Sequence, residues 1–437
     1  MSIIRKLLGT SVCLGLMAGL ATAATAEEIT IATVNNGDMI IMQELSSKWE
    51  DQTGNTINWV VLEENVLRQR VTTDIATGGG QYDILTIGSY EAPIWGKQGW
   101  LTPMDGIEGY NYDDLIPAVK AGLSSDGTLY AMPFYAESSF TMYRKDLFEA
   151  AGLTMPEKPT YEEIKGFAEK LTDKGKEQYG ICLRGKPGWG ENMAFFGTLV
   201  NTNGGRWFDE NWVPQLDQQP WKDALNYYLD IMNNYGPPGA TSNGYNENQA
   251  LFQTGHCAMW IDATSAAGRV FDPSQSQVAD QVGFTSAPHA SVEKGNAWFW
   301  AWSLAVPASS QHVDVAKDFI AWATSEDYIN LVGAEKGWVA VPPGTRSSTY
   351  ANQNYIDAAP FAETVLKSIE AADPSNATAD PVPYTGIQYV AIPEFQGLGT
   401  VVGQNISAAL AGSMSAEDAL SQSQAEAVAE MRDAGYN

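Results

Sequence analysis

Apolar and polar residues alternate along Glu28–Val34 (EITIATV) and again along Thr56–Leu62 (TINWVVL), the period-two pattern of strands. Between them Ile41, Leu45 and Trp49 recur at four-residue steps, one face of a helix that Asp38 is placed to cap and Thr53-Gly54 to stop. Leu67, Val71 and Ile75 mark a second helix over 63–77, ended by three glycines, and 82–87 reads as a third strand. Strand, helix, strand, helix, strand in this rhythm predicts parallel β-α-β units. Beyond the turn at Asp126-Gly127, residues 129–135 read as an extended run containing Pro133. Proline cannot donate to a ladder, so this run is expected at a sheet edge or between two bodies. A second apolar run, 139–143, and a short helix ended by Gly152 follow. Thr160 and Glu163 have capping-box spacing ahead of Ile164, Phe167, Ala168 and Leu171.

A second body follows. Its expected elements are a strand at 179–183, helices at 192–202, from Pro220 and at 246–253, a hard break at Gly236-Pro237-Pro238-Gly239, and a strand at 255–261. The run 298–302 puts Trp298, Trp300 and Trp302 on one side of a strand, and an amphipathic helix over 416–431 ends the chain.

The tract DGTLYAMPFYAESSFTMYRKDLFEAAGL resembles the solute-binding proteins of ATP-binding-cassette importers, carbohydrate branch (extracellular solute-binding protein family 1), whose usual pattern is near DGKLYALPF…LYYRKDLFEKAGL. Thr128 stands for the family's common lysine. Three more tracts fit the same family in the same order: GGGQYDILTIGSYEAPIWGKQGWLTPMD, ALFQTGHCAMWIDAT and EKGWVAVPPGTRS. The resemblance implies an α/β, two-lobed periplasmic-binding-protein fold, each lobe a mainly parallel sheet flanked by helices and joined by hinge crossing strands. It implies an N-terminal lobe of 27–135 and 302–345, and a C-terminal lobe of 136–301 and 346–437. The tracts ICLRGKPGWGENMAFFGTLVNTNGGRWF and GNAWFWAWSLAVP look most like the sugar-alcohol binders of the mannitol and sorbitol type. A mannitol, sorbitol or arabitol-type ligand is therefore expected, held as the lobes close. A monosaccharide or short oligosaccharide is the first alternative and a secreted carbohydrate-active hydrolase the second. The resemblance further implies membrane permease subunits as partners, a monomer and no cofactor.

Composition narrows the picture. Arg5-Lys6, the apolar stretch 7–20 and Ala24-Thr25-Ala26 form a secretory signal, so a cleaved leader (1–26) and a periplasmic protein are expected. The remaining 411 residues carry 23 Lys and Arg against 52 Asp and Glu, a charge of −29 with no basic cluster, which argues against nucleic acid. Once Cys13 leaves with the signal, Cys182 and Cys257 remain in a compartment that permits a disulfide, and sequence leaves open whether they meet. The three scattered histidines lack metal-site spacing. GxSxG, HExxH and P-loop motifs are absent, which argues against an enzyme.

Ligands of open α/β sheets bind beyond the carboxyl ends of strands. Those ends deliver Asn36, Glu64 and Tyr90 from the first body, and Arg184, with Trp189 following, and Asp262 from the second. Glu137 lies just past the crossing, where a carboxylate faces the gap. Trp298 and Trp300 are the tryptophans expected at the cleft. Each residue has a plainer alternative: a helix cap, a surface ion pair or core packing. An Arg184→Ala change is expected to weaken ligand binding at least tenfold (order of magnitude) without unfolding the protein.

Overall fold

The computed structural model describes residues 26–436. Apart from Ala26, the leader read at 1–26 lies outside the described residues. Among the described residues no helix is long and apolar enough to cross a membrane.

Two sheets organise the chain. The first runs in the spatial order β2 (Thr56–Leu62), β1 (Glu28–Val34), β3 (Ile84–Gly88), β8 (Trp300–Ala305), β4 (Met132–Glu137). β1 pairs in parallel with β2 and β3, as the β-α-β rhythm predicts, whereas β8 is antiparallel to β3 and β4. The second sheet has the order β6 (Met259–Ala263), β5 (Ser139–Arg144), β7 (Val282–Ser286), and its pairs are antiparallel. The α/β, two-lobed class therefore holds, but strand direction is mixed in one sheet and antiparallel in the other rather than mainly parallel. In the first sheet the cause is the late return of β8, which inserts antiparallel between β3 and β4.

β4 is an edge strand, and the ladder slips between Trp302 and Ser303, opposite Pro133. The proline thus sits where an unpaired position costs nothing. Only Ser138 separates β4 from β5, so the chain crosses there from one sheet to the other. The Ser138 N–H donates to Thr264 Oγ1 (3.1 Å) and its hydroxyl to the Trp298 carbonyl (2.8 Å), which ties the crossing to both flanking segments.

Local signals mostly hold. Leu67, Val71 and Ile75 are buried on the helix Glu64–Thr77, Gly78 ends it at φ +63°, and the Thr160–Glu163 capping box forms. The first helix starts at Gly37 with Asn36, not Asp38, at its cap, and it breaks at Ser46. Asp38 instead lies in the first turn, where burial raises its carboxyl to about 7 despite Arg269 nearby. The strand expected at 179–183 is reduced to two bridges, Tyr179 to Cys257 and Cys182 to Trp260. Beside them Cys182 and Cys257 form a disulfide with Cα atoms 5.8 Å apart.

Candidate functional site

The strand register builds the site. Trp300 opposes Glu137 and Trp302 opposes Tyr135 across β8 and β4, and directly opposed residues share a face. All four side chains therefore point into one chamber between the two sheets. At the end of β1, Asn36 Nδ2 donates to the Tyr135 hydroxyl (2.9 Å).

The helix Glu64–Thr77 begins with Glu63, whose carboxylate accepts from the N–H groups of Asn65 and Val66. That cap fixes the first turn and aims Glu64 and Arg68, an i,i+4 pair, at the chamber. Arg68 is buried and doubly held: Nη2 donates to Glu64 Oε1 (2.9 Å) and Nη1 to Glu91 Oε1 (2.7 Å). Its guanidinium carbon lies 4.0 Å from the ring centre of Trp189, 4.8 Å from Trp300 and 4.9 Å from Trp302.

From the other side comes Arg184. Nε and Nη2 bond the Asp262 carboxylate at 3.0 and 2.6 Å, and Nη1 donates to the Gly190 carbonyl (2.8 Å). Trp260 Nε1 and the Ala263 N–H also donate to Asp262, so both its oxygens are engaged. The Trp298 ring lies 5.6 Å from the Arg184 guanidinium carbon. Glu137 accepts from the Ser265 hydroxyl (2.5 Å), and burial pushes its carboxyl up to about 8. Burial also raises Glu191 to about 8, reinforced by the charge of Glu64. A neutral Glu137 keeps an O–H to donate into the chamber.

Seven of the nine residues expected at the cleft line this chamber: Asn36, Glu64, Glu137, Arg184, Trp189, Trp298 and Trp300. Two do not. Asp262 stands behind Arg184 and orients it. The Tyr90 hydroxyl is spent on the Ile392 (2.9 Å) and Pro393 (3.2 Å) carbonyls, and its ring faces a separate outer groove. Sequence reasoning missed Arg68, Tyr135, Tyr245, Ser265 and Gln388. The Glu64/Arg68 spacing and the Tyr135/Glu137 alternation were available signals. Gln388, in a long loop and bonded to the Phe299 backbone, gave none.

The two halves meet around the chamber. Lys186 Nζ reaches Glu63 Oε1 (2.6 Å), Asn65 Nδ2 donates to the Pro187 carbonyl (3.1 Å), and the Tyr389 hydroxyl donates to the Ser89 carbonyl (3.1 Å). A Cβ at Gly190 would overlap Glu64 Oε1, so only glycine lets the backbone come this close. The indole N–H groups of Trp189 and Trp300 are buried without a protein acceptor.

The chain is similar to known proteins. The family described as bacterial extracellular solute-binding protein matches residues 36–329. A mannitol-binding protein of Pseudomonas aeruginosa is 56% identical over 416 residues, covering 95% of each chain. Among solved structures, an ABC transporter solute-binding protein from Agrobacterium vitis with bound D-mannitol is 60% identical. It superposes with a TM-score of 0.93 over 94% of this chain and 99% of that one. One from Agrobacterium radiobacter in complex with ribitol is 26% identical, with a TM-score of 0.80 over 92% and 98%. The chain belongs to the bacterial extracellular solute-binding protein family.

Proposed function

We propose that the protein is the periplasmic binding component of an ATP-binding-cassette importer and captures an acyclic sugar alcohol, with mannitol the first candidate. The observation that carries this reading is the state of the aromatic rings. Each of the four tryptophans lining the chamber, Trp189, Trp298, Trp300 and Trp302, already has an arginine guanidinium over it. A pyranose needs an open ring face to stack on, whereas a linear hexitol has no flat face and needs hydrogen-bond partners along its length. The chamber supplies them in Glu64, Glu137, Arg184, Asn36 and the two unpaired indole N–H groups. The relatives that bind mannitol support the same reading.

In this account the lobes, 27–135 with 302–345 and 136–301 with 346–437, close about the Ser138 crossing and trap the ligand. The contacts of Lys186 with Glu63 and of Asn65 with Pro187 hold the closed form. Permease subunits then read the closed state, and no chemical step is assigned to the site. Thermal unfolding of the mature protein against millimolar mannitol, sorbitol, arabitol, ribitol, glucose and maltose tests the reading. A ligand at about 1,000 times its Kd adds about 4 kcal/mol to the native state. Upward shifts confined to the polyols are expected. Shifts confined to the ring sugars would overturn the ligand assignment.

A further inference from the structure

We propose that the Arg68–Trp189 stack is a partition that sets the length of ligand the protein accepts, with Trp189 the specificity-determining residue. The inference rests on the hexitol reading and extends it.

Beyond the chamber lies a larger outer groove of about 800 Å³. Among the described residues Arg68 and Trp189 are the two that line both spaces, so their stack, 4.0 Å from guanidinium carbon to ring centre, is the wall between them. The wall is rigid on both sides. Glu64 and Glu91 hold Arg68. The Trp189 ring packs at 5.0 Å on Tyr90, 5.6 Å on Trp300 and 6.1 Å on Phe395, and a Cβ at Gly399 would press on its own Cβ at 2.9 Å.

The groove has the chemistry of a carbohydrate subsite. Trp100, half-buried, offers aromatic surface with the buried Trp95 beside it, and Gln69, Gln98 and Gln404 offer exposed amides. Flat rings beside amide donors and acceptors suit a glycosyl ring, which the chamber itself cannot stack. A hexitol carrying a glycosyl group on a terminal carbon would therefore span both spaces were the partition absent. With the partition in place its sugar ring meets the Trp189 indole, and only the free alditol fits.

Calorimetry with mannitol and with 1-O-α-D-glucopyranosyl-D-mannitol tests this on wild type, Trp189→Ala and Trp189→Leu; the leucine variant keeps an apolar group against Tyr90 and Phe395. Wild type is expected to bind the glucoside at least about 100-fold more weakly than mannitol. The variants are expected to lose about tenfold in mannitol affinity and gain at least about tenfold for the glucoside, on the scale of one or two lost or gained polar and stacking contacts. Adding Trp100→Ala to either variant should reverse that gain, while Trp100→Ala alone leaves mannitol binding unchanged. Wild type binding both ligands within tenfold of each other would overturn the proposal. So would a folded variant that binds mannitol yet rejects the glucoside as wild type does. If both variants unfold, the wild-type ratio decides alone. Wild type that binds neither ligand would instead remove the hexitol reading, and the partition with it.

Discussion

Replacing Arg184 by methionine removes the one cation among the described residues that touches Asp262 and leaves a chain of similar length in its place. Arg184 and Asp262 are both almost wholly buried, at 6% and 1% side-chain exposure, and Glu191 beside them is at 5%. After the change Asp262 keeps the Trp260 indole and Ala263 N–H groups but loses its counter-charge while it stays buried. Breaking a buried pair from one side costs about 3–5 kcal/mol, more than the pair itself is worth. The sequence-based expectation is that Arg184→Ala weakens binding without unfolding the protein; the buried pair adds a cost in stability, so both substitutions should weaken the fold and the binding together. Adding Asp262→Asn separates the two effects. The double variant should recover at least about 2 kcal/mol of the loss, because the stranded charge is gone, and mannitol affinity should stay at least about tenfold down. Urea unfolding followed by tryptophan fluorescence reads stability, and calorimetry reads affinity. If Arg184→Met lost less than about 1 kcal/mol, the buried pair would not be holding the site as described. If it bound mannitol within threefold of wild type, Arg184 would not be a ligand contact.

Three further outcomes follow from the same geometry. The raised carboxyls of Glu137 and Glu191 mean that the native state holds protons the unfolded chain has released between about pH 4.5 and 8. Stability of the unliganded protein should therefore fall as pH rises through that window, and Glu137→Gln, which can still accept from Ser265, should flatten the fall in a Tm-against-pH series; an unchanged slope would contradict the assignment. Gly190→Ala places a methyl group against Glu64 and Arg68, so mannitol affinity should drop at least about tenfold by calorimetry while unliganded Tm moves little. Cys182→Ser with Cys257→Ser releases a cross-link spanning 75 residues; chemical denaturation should show a loss of about 4 kcal/mol, with mannitol affinity retained because the bond lies outside the chamber.

How much of this was legible in the sequence depends on what each feature rests upon. Period-two runs, caps and glycine stops are local, and they located β1, β2, the helix Glu64–Thr77 and the capping box at Thr160. Strand direction is not local. Nothing in WAWSLA shows that it inserts antiparallel between β3 and β4, and that insertion is what sets Trp300 against Glu137. Carboxylates and arginines at strand ends could be read as facing a cleft. Which of them faces the ligand and which stands behind it is decided by hydrogen bonds between segments 78 residues apart, as for Asp262 behind Arg184. Tyr90 failed in the same way, drawn off by carbonyls some 300 residues on. The tryptophans were legible as a group. That they stack on Arg68 was not, because the guanidinium arrives from another element, and this contact is what turns a Trp-rich cleft toward a linear ligand.

The central claim is that a chamber whose indoles are already covered by arginines selects an acyclic hexitol over a ring. Titration calorimetry of the mature protein, unfolded, dialysed and refolded to strip any carried ligand, with D-mannitol and then D-glucose tests it directly. Saturable one-to-one binding of mannitol, with glucose at least about 100-fold weaker (a gap of about 2.7 kcal/mol), is the predicted result. Glucose binding as tightly as mannitol, or in its place, would contradict the account.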